Sequence, residues 1–160
     1  MTTRTKNAID IFLDALNTGT LAKGSCTACA VGNLVAAGLD GTITITDDGR
    51  YVCDKSNDVW SELFNTHGVQ KFYGTYLQDV GVLANIEATE FTLKELMEIE
   101  YTFETNTEIR FTDYPKFSNE EIRKDQINGL QAVVEVMLEF EESKEDVKEI
   151  FTKKAELILI

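Results

Sequence analysis

Three helix-start signals in the second half of the sequence favour helices over any other fold for that half. Thr92 is followed three residues later by Glu95, and Ser118 is followed in the same way by Glu121. This spacing is typical of a capping box, in which each residue's side chain accepts a hydrogen bond from the other's backbone N–H. A comparable start at Ser143 precedes a third helical pattern. We therefore expect a helix after each of the three signals.

The apolar residues behind these signals recur at the three- and four-residue spacing of an amphipathic helix. The first pattern covers residues 93–104, and the third begins at about residue 144. Between the first two helices, residues 105–116 read as a loop or short extended piece that Pro115 ends. The second helix, from residue 119 onward, carries the longest apolar stripe: Ile122, Gln126, Leu130, Val133, Val134, Met137 and Phe140.

The first half of the chain predicts more helices. An amphipathic pattern over residues 3–17 predicts one helix, which Gly19 follows. A run of small apolar residues predicts a buried helix over residues 26–37, with Ser25 as its N-cap. A short helix around Trp60 and a helical segment ending at about residue 86 complete this half.

Residues 42–53 are the clearest β element. Thr and Ile alternate over residues 42–46, a strong turn signal follows at residues 47–49, and residues 50–53 return. An isolated hairpin is marginally stable, so this one must lie against the helices or be clamped. The expected fold class is therefore mainly α, a compact multi-helix domain with one small β-hairpin.

Length and composition indicate one domain without a membrane anchor. At 160 residues, the chain predicts a single domain over 1–160, with a cysteine-containing part at 1–86 and an acidic helical part at 87–160. No apolar run reaches the ~20 residues that a membrane span needs, and the N-terminus does not resemble a signal peptide. Three cysteines do not suit a secreted disulfide framework. These features predict a cytoplasmic protein.

The net charge of −13 limits the choice of partner. Residues 81–160 hold 19 acidic and 9 basic side chains, so −10 of the total lies in that half. Such a surface repels phosphate, which argues against direct nucleic-acid binding and against an anionic membrane. The remaining interpretations are a basic protein partner, a cation, or an acidic face that only confers solubility. The candidate partner-binding residues are Glu135, Glu139, Glu142, Glu145, Asp146 and Glu149.

The cysteines predict a candidate metal site. Cys26 and Cys29 lie three positions apart, near the expected start of the second helix, where the helix dipole stabilises thiolate. Cys53 ends the hairpin and His67 is the one histidine, so the pattern C-x2-C-x23-C-x13-H supplies the four ligands of a zinc site. Two alternatives stay open: the cysteines are small apolar core residues and no cofactor is bound, or Cys26 performs thiol chemistry.

Other catalytic motifs are absent from the sequence. It contains neither a glycine-rich phosphate loop nor a G-x-S-x-G nucleophile motif. A carboxylate-bridged di-metal bundle needs more than one histidine, and no stretch fulfils the spacing of a calcium-binding EF-hand loop. We therefore expect a protein that is not an enzyme.

Residues 24–34 (GSCTACAVGNL) and 125–134 (DQINGLQAVV) resemble segments of small uncharacterised proteins of bacteriophages and bacteria. The two segments cover about a seventh of the chain. The resemblance implies a small accessory or inhibitory protein and assigns no residue a role.

Three functional classes follow. The leading expectation is a non-enzymatic acidic protein that binds a basic surface of its partner, with exposed aromatics or residues 157–160 as apolar contacts. The alternatives are a small zinc-stabilised structural module and an enzyme that depends on Cys26. The apolar residues 157–160 should be buried, either in the core or against a second copy of the chain.

Overall fold

The computed structural model describes residues 2–25, 27–55, 86–141 and 144–159. Its helices are α1 (Thr3–Thr18), α2 (Ala30–Gly38), α3 (Leu93–Asn106), α4 (Asn119–Leu138) and α5 (Lys144–Leu159). A 3-10 helix covers Phe111–Lys116, and two strands, β1 (Ile43–Ile45) and β2 (Tyr51–Cys53), pair with each other. The expected fold class, mainly α with one small hairpin, is confirmed.

The two predicted capping boxes are present. At the start of α3, Thr92 and Glu95 each accept a hydrogen bond from the other's backbone N–H, and Ser118 and Glu121 do the same at the start of α4. Helix α1 begins after the N-cap Thr2 and ends before Gly19, which takes a left-handed conformation with φ of 78°. The side chains of neighbouring residues thus accept hydrogen bonds from backbone N–H groups that would otherwise be unpaired at the starts of α1, α3 and α4.

The core lies where α4 meets α3, α5 and α1, and where α2 meets α1 and α3. Because α4 contacts three other helices, its apolar stripe lies at the centre of the domain. The largest fully buried side chains are Phe12, Phe103, Phe151, Ile9, Leu16, Leu21, Leu96, Ile99, Leu130 and Met137.

The hairpin is held at one side by an aromatic contact. Its strands pair antiparallel, with Ile43 opposite Cys53 and Ile45 opposite Tyr51. The Tyr51 ring meets the Phe111 ring edge-on, with centroids 5.8 Å apart. This contact joins the hairpin to the 3-10 helix, as a marginal two-stranded element requires.

The second helix begins later than the sequence predicts, and this expectation was wrong. Helix α2 starts at Ala30 with Cys29 as its N-cap, not at Cys26 with Ser25 as its N-cap. Ser25 instead closes a turn, because its carbonyl oxygen accepts from the N–H groups of Ala28 and Cys29. The buried Asn33 amide fixes this arrangement by donating to the carbonyls of Ala28 and Cys29. A turn therefore occupies the positions assigned to the first helical turn.

Residues 111–116 form a 3-10 helix that includes Pro115, whereas the sequence predicted a loop or extended piece. The three-residue repeat of a 3-10 helix tolerates proline where its N–H is not needed. The predicted helix around Trp60 and most of the segment ending at about residue 86 lie outside the described residues.

Candidate functional site

One side of α4 carries a row of polar and acidic residues. Glu121, Asn128 and Glu135 follow each other at intervals of seven, and Glu139 comes four positions later. Residues at this spacing share one side of a helix, and all four are exposed. We call this row the acidic face of α4. At 1.5 Å per residue it extends over about 27 Å.

Few positive charges accompany the acidic face. Helix α4 is described in full, and its exposed cation is Lys124, whose Nζ lies 3.1 Å from a carboxylate oxygen of Glu120 on the same helix. Arg123 is half-buried. Elsewhere, Lys116 pairs with Asp113 and Lys154 pairs with Asp10. Lys116, Lys124 and Lys154 are thus each close to a carboxylate of the chain itself.

The structure places only part of the predicted partner-binding set. Glu135 and Glu139 are exposed on α4, at the end of the acidic face. Glu142 lies outside the described residues, as do the side chains of Glu145, Asp146 and Glu149. Sequence reasoning missed the other end of the face, Glu121 and Asn128, although their seven-residue spacing from Glu135 was visible in the sequence.

The structure describes two of the four candidate zinc ligands. Cys29 is buried, and its Sγ accepts a hydrogen bond from the Gly32 N–H at 3.4 Å. Cys53 is half-buried on β2. Cys26 and His67 lie outside the described residues. In the part of the chain that the structure describes, no three side chains of His, Cys, Asp or Glu form a group that could hold a metal ion.

Cys53 is among the residues that line an open pocket of about 350 Å³. The other lining residues include Ser25, Thr27 and Phe111. The phenol of Tyr51 also lines it, and burial raises the pKa of that phenol. Ser25, Thr27 and Cys53 thus line the same pocket.

A polar cluster that the sequence did not indicate anchors this loop to α3. The Lys23 ammonium donates to the carbonyl oxygens of Glu104 and Thr107 at the end of that helix. The Gly24 N–H donates to Glu104 Oε1 at 3.4 Å. Burial raises the pKa of the Glu104 carboxyl, and the Gly24 N–H together with the charges of Lys23 and Arg110 opposes that rise. The cluster neutralises helix-end carbonyls and fixes the loop.

A second buried polar group joins the same loop to α4. Gln126 donates through its amide nitrogen to the carbonyl oxygen of Leu21 and to the Tyr114 hydroxyl. Burial raises the pKa of Tyr114 to about 12, so this phenol stays protonated. The sequence had assigned Gln126 only to an apolar stripe. Its hydrogen bonds explain why a polar residue is tolerated there.

Several large apolar side chains are exposed in the described regions. Tyr101 on α3 is 63% exposed, and Leu157 on α5 is 70% exposed. The expectation that residues 157–160 are buried in the core is thus wrong for Leu157 and Leu159, although Ile158 packs partly against the core. The alternative, burial against a second copy, stays a prediction.

Comparison with known protein families, with characterised proteins and with solved structures finds no match to this chain. Function must therefore be inferred from the chemistry of its own surface. None of the described helices combines the length and apolar character that a membrane span requires.

Proposed function

We propose that this chain is a non-enzymatic acidic protein that binds a basic surface of a protein partner. The observation that carries the proposal is the acidic face of α4, where exposed Glu121 and Glu135 share one side of a fully described helix and exposed Glu139 is its C-cap. Complementary charge steers association and excludes partners that carry the same sign. A face about 27 Å long suits a groove lined by Lys and Arg.

The position of the surplus charge further supports this proposal. Lys124 lies near the start of the acidic face and pairs with Glu120, whereas Glu135 and Glu139 are exposed at the opposite end. Tyr101 and Leu157 add exposed apolar surface in the same half of the chain. Exposed aromatic and apolar anchors supply most of the affinity in many interfaces, whereas charge supplies rate and specificity. A partner that normally holds nucleic acid would be inhibited by competition, as the resemblance to phage proteins suggests.

The test is a charge reversal with a matched control. The double variant E135K/E139K and the control D14K/D47K each replace two carboxylates by lysine, so they change the net charge by the same amount. Asp14 and Asp47 are exposed, as Glu135 and Glu139 are, but lie in the first half of the chain. Each protein is immobilised and used to capture partners from cells that encode it. We expect a partner retained by the wild type and the control, lost by E135K/E139K, and released as salt rises from about 0.05 to 0.5 M.

A circular-dichroism melt of each variant verifies that it folds. Equal capture by all three proteins would contradict the proposal, as would capture that is independent of salt. Competition between the captured partner's own nucleic acid and this chain would then distinguish inhibition from simple association.

The alternative proposal is a zinc-stabilised structural module. It is supported by the pocket that Cys53 lines together with Ser25 and Thr27, which flank Cys26 in the sequence. About one equivalent of zinc in protein purified without added metal, with protected thiols, would favour this class. Metal-free protein with an unchanged unfolding midpoint after chelation would remove it.

A further inference from the structure

An open groove lies at the start of the acidic face. It encloses about 620 Å³ between the end of α3, the connection that follows it and the first turns of α4. Ile109 and Phe117 supply its apolar surface, and Phe117 is 39% exposed. Glu108, Glu121, Asp125 and Asn128 lie around these two side chains.

The groove is built from fixed backbone. The Asp125 carboxylate accepts hydrogen bonds from the N–H groups of Glu108 and Ile109, at 2.8 and 2.9 Å. The Phe117 N–H donates to the carbonyl oxygen of Tyr114, and Ser118 caps α4 directly afterwards. Because both apolar residues are next to such bonds, a ligand would meet a preorganised surface and would lose little affinity to ordering.

The charge of the groove selects its occupant. Its lining contains the carboxylates of Glu108, Glu121 and Asp125 against one ammonium, that of Lys124. Hydrogen bonds from Ser118 lower the pKa of Glu121, so this carboxyl is ionised at neutral pH. A second copy of this chain would bring a net charge of −13, and an anionic membrane or nucleic acid would be repelled in the same way.

We propose that this groove docks a short cationic segment of the protein partner, with one apolar side chain on Ile109 and Phe117 and flanking Lys or Arg residues toward Glu108 and Glu121. The inference rests on the proposed function and assigns the partner a sequence character. The volume is within the range of pockets that enclose a small ligand or one large side chain with its neighbours. The groove is continuous with the acidic face, since Glu121 and Asn128 belong to both.

The test uses three capped pentapeptides in titrations followed by backbone-amide NMR. The probe is Lys-Lys-Phe-Lys-Lys, and its controls are Lys-Lys-Ser-Lys-Lys and Glu-Glu-Phe-Glu-Glu. We expect saturable shifts at residues 106–128 with the probe, at least about threefold weaker binding of the serine peptide, and no binding of the acidic one.

The variants N128K and N128D alter charge at an exposed groove position, and N17K makes the same change as N128K at an exposed end of α1. We expect N128K to weaken the probe about threefold and N128D to tighten it to a similar extent, while N17K has less effect. Phe117→Ala should abolish the preference for the phenylalanine peptide over the serine peptide. N128D, which keeps nearly the same shape, serves as the check if Phe117→Ala does not fold.

Equal binding of the phenylalanine and serine peptides would overturn the inference, because only long-range charge would then be acting. Shifts centred outside residues 106–128 would overturn it too, as would N128K and N17K with the same affinity. The proposed function fails separately, when E135K/E139K still captures the partner of the wild type. If the peptide binds in the groove but E135K/E139K captures the same partner as the wild type, only the proposed function is contradicted.

Discussion

Gly129 allows α4 and the end of α3 to pack more closely than a side chain would permit. A Cβ built at this position would lie 2.4 Å from Thr107 Cγ2 and 3.0 Å from a ring carbon of Phe103. Thr107 is buried, and its hydroxyl donates to the Phe103 carbonyl oxygen at 2.7 Å. Its own carbonyl accepts from Lys23. Gly129→Ala therefore forces a methyl group against Thr107, whose hydroxyl and carbonyl are both fixed by hydrogen bonds.

Two opposing effects determine the sign of this substitution. Alanine is favoured over glycine inside a helix by about 1 kcal/mol. Overpacking a core costs about 1–3 kcal/mol. Rotating Thr107 to move Cγ2 away would also break its hydrogen bond, at a further cost of roughly 1 kcal/mol. We expect Gly129→Ala to lower the free energy of unfolding by about 1–3 kcal/mol, against the direction of helix propensity.

Urea denaturation followed by circular dichroism measures this effect, and Thr107→Ser isolates its cause. Serine lacks Cγ2 but keeps the hydroxyl, so the single variant should lose about 1 kcal/mol for one buried methyl group. In the double variant, the new methyl group occupies the vacated space, and the penalty of Gly129→Ala should largely disappear. A stabilising Gly129→Ala, or the same penalty with and without Thr107→Ser, would refute the reasoning.

Two further substitutions test polar contacts that join distant parts of the chain. Glu95 accepts two hydrogen bonds from Arg4, both at 2.7 Å; burial alone would raise the pKa of Glu95, but these bonds and the charge of Arg4 lower it. A lowered pKa means that the stabilisation is present above about pH 4.5 and is lost as the pH falls through the folded-state value. The difference in urea midpoint between the wild type and Glu95→Gln should therefore shrink from pH 7 to about pH 3, and a constant difference would contradict this. Asn33→Ala removes the amide that donates to the carbonyls of Thr20, Ala28 and Cys29. We expect the free energy of unfolding to fall by about 2–3 kcal/mol and the Cys29 thiol to react faster with a disulfide reagent. An unchanged thiol rate would argue against a role of Asn33 in fixing this turn.

Local signals in the sequence were sufficient to predict where α3 and α4 begin. The side chains of Thr92 and Ser118 bond within three residues of themselves, so no distant part of the chain has to be known. The hairpin was predictable for the same reason, because Gly49 at φ of 83° closes a turn between two alternating strands.

The start of α2 was not predictable from local signals. Ser25 is a favoured N-cap, and the helical pattern reaches back to Cys26. The Asn33 amide, however, donates to carbonyls on both sides of the turn, including that of Thr20 thirteen residues away. Lys23 then binds the end of α3, 81 residues further along the chain. Contacts of this range stabilised a turn where propensity alone favoured a helix.

The negative charge of the candidate site was predictable from the sequence, but the groove beside it was not. Composition indicated an acidic surface, and Glu135 and Glu139 were named from it. The groove depends on Asp125 bonding two backbone N–H groups sixteen and seventeen residues earlier, which positions Ile109 beside Phe117. No periodic pattern encodes such a side-chain-to-backbone contact, so the apolar part of the site was missed.

The carboxylates of α3 and α4 lie in two different electrostatic settings. Glu95 and Glu121 lie in the first turns of α3 and α4, where the helix dipole favours negative charge, and Asp125 bonds two backbone donors. At the other end of α4 the dipole favours cations, yet its last turn contains no basic residue; Glu135 lies in that turn and Glu139 is the C-cap. The helix dipole by itself therefore disfavours negative charge at these two positions. If the proposed function holds, charge reversal at Glu135 and Glu139 should weaken binding to a basic partner.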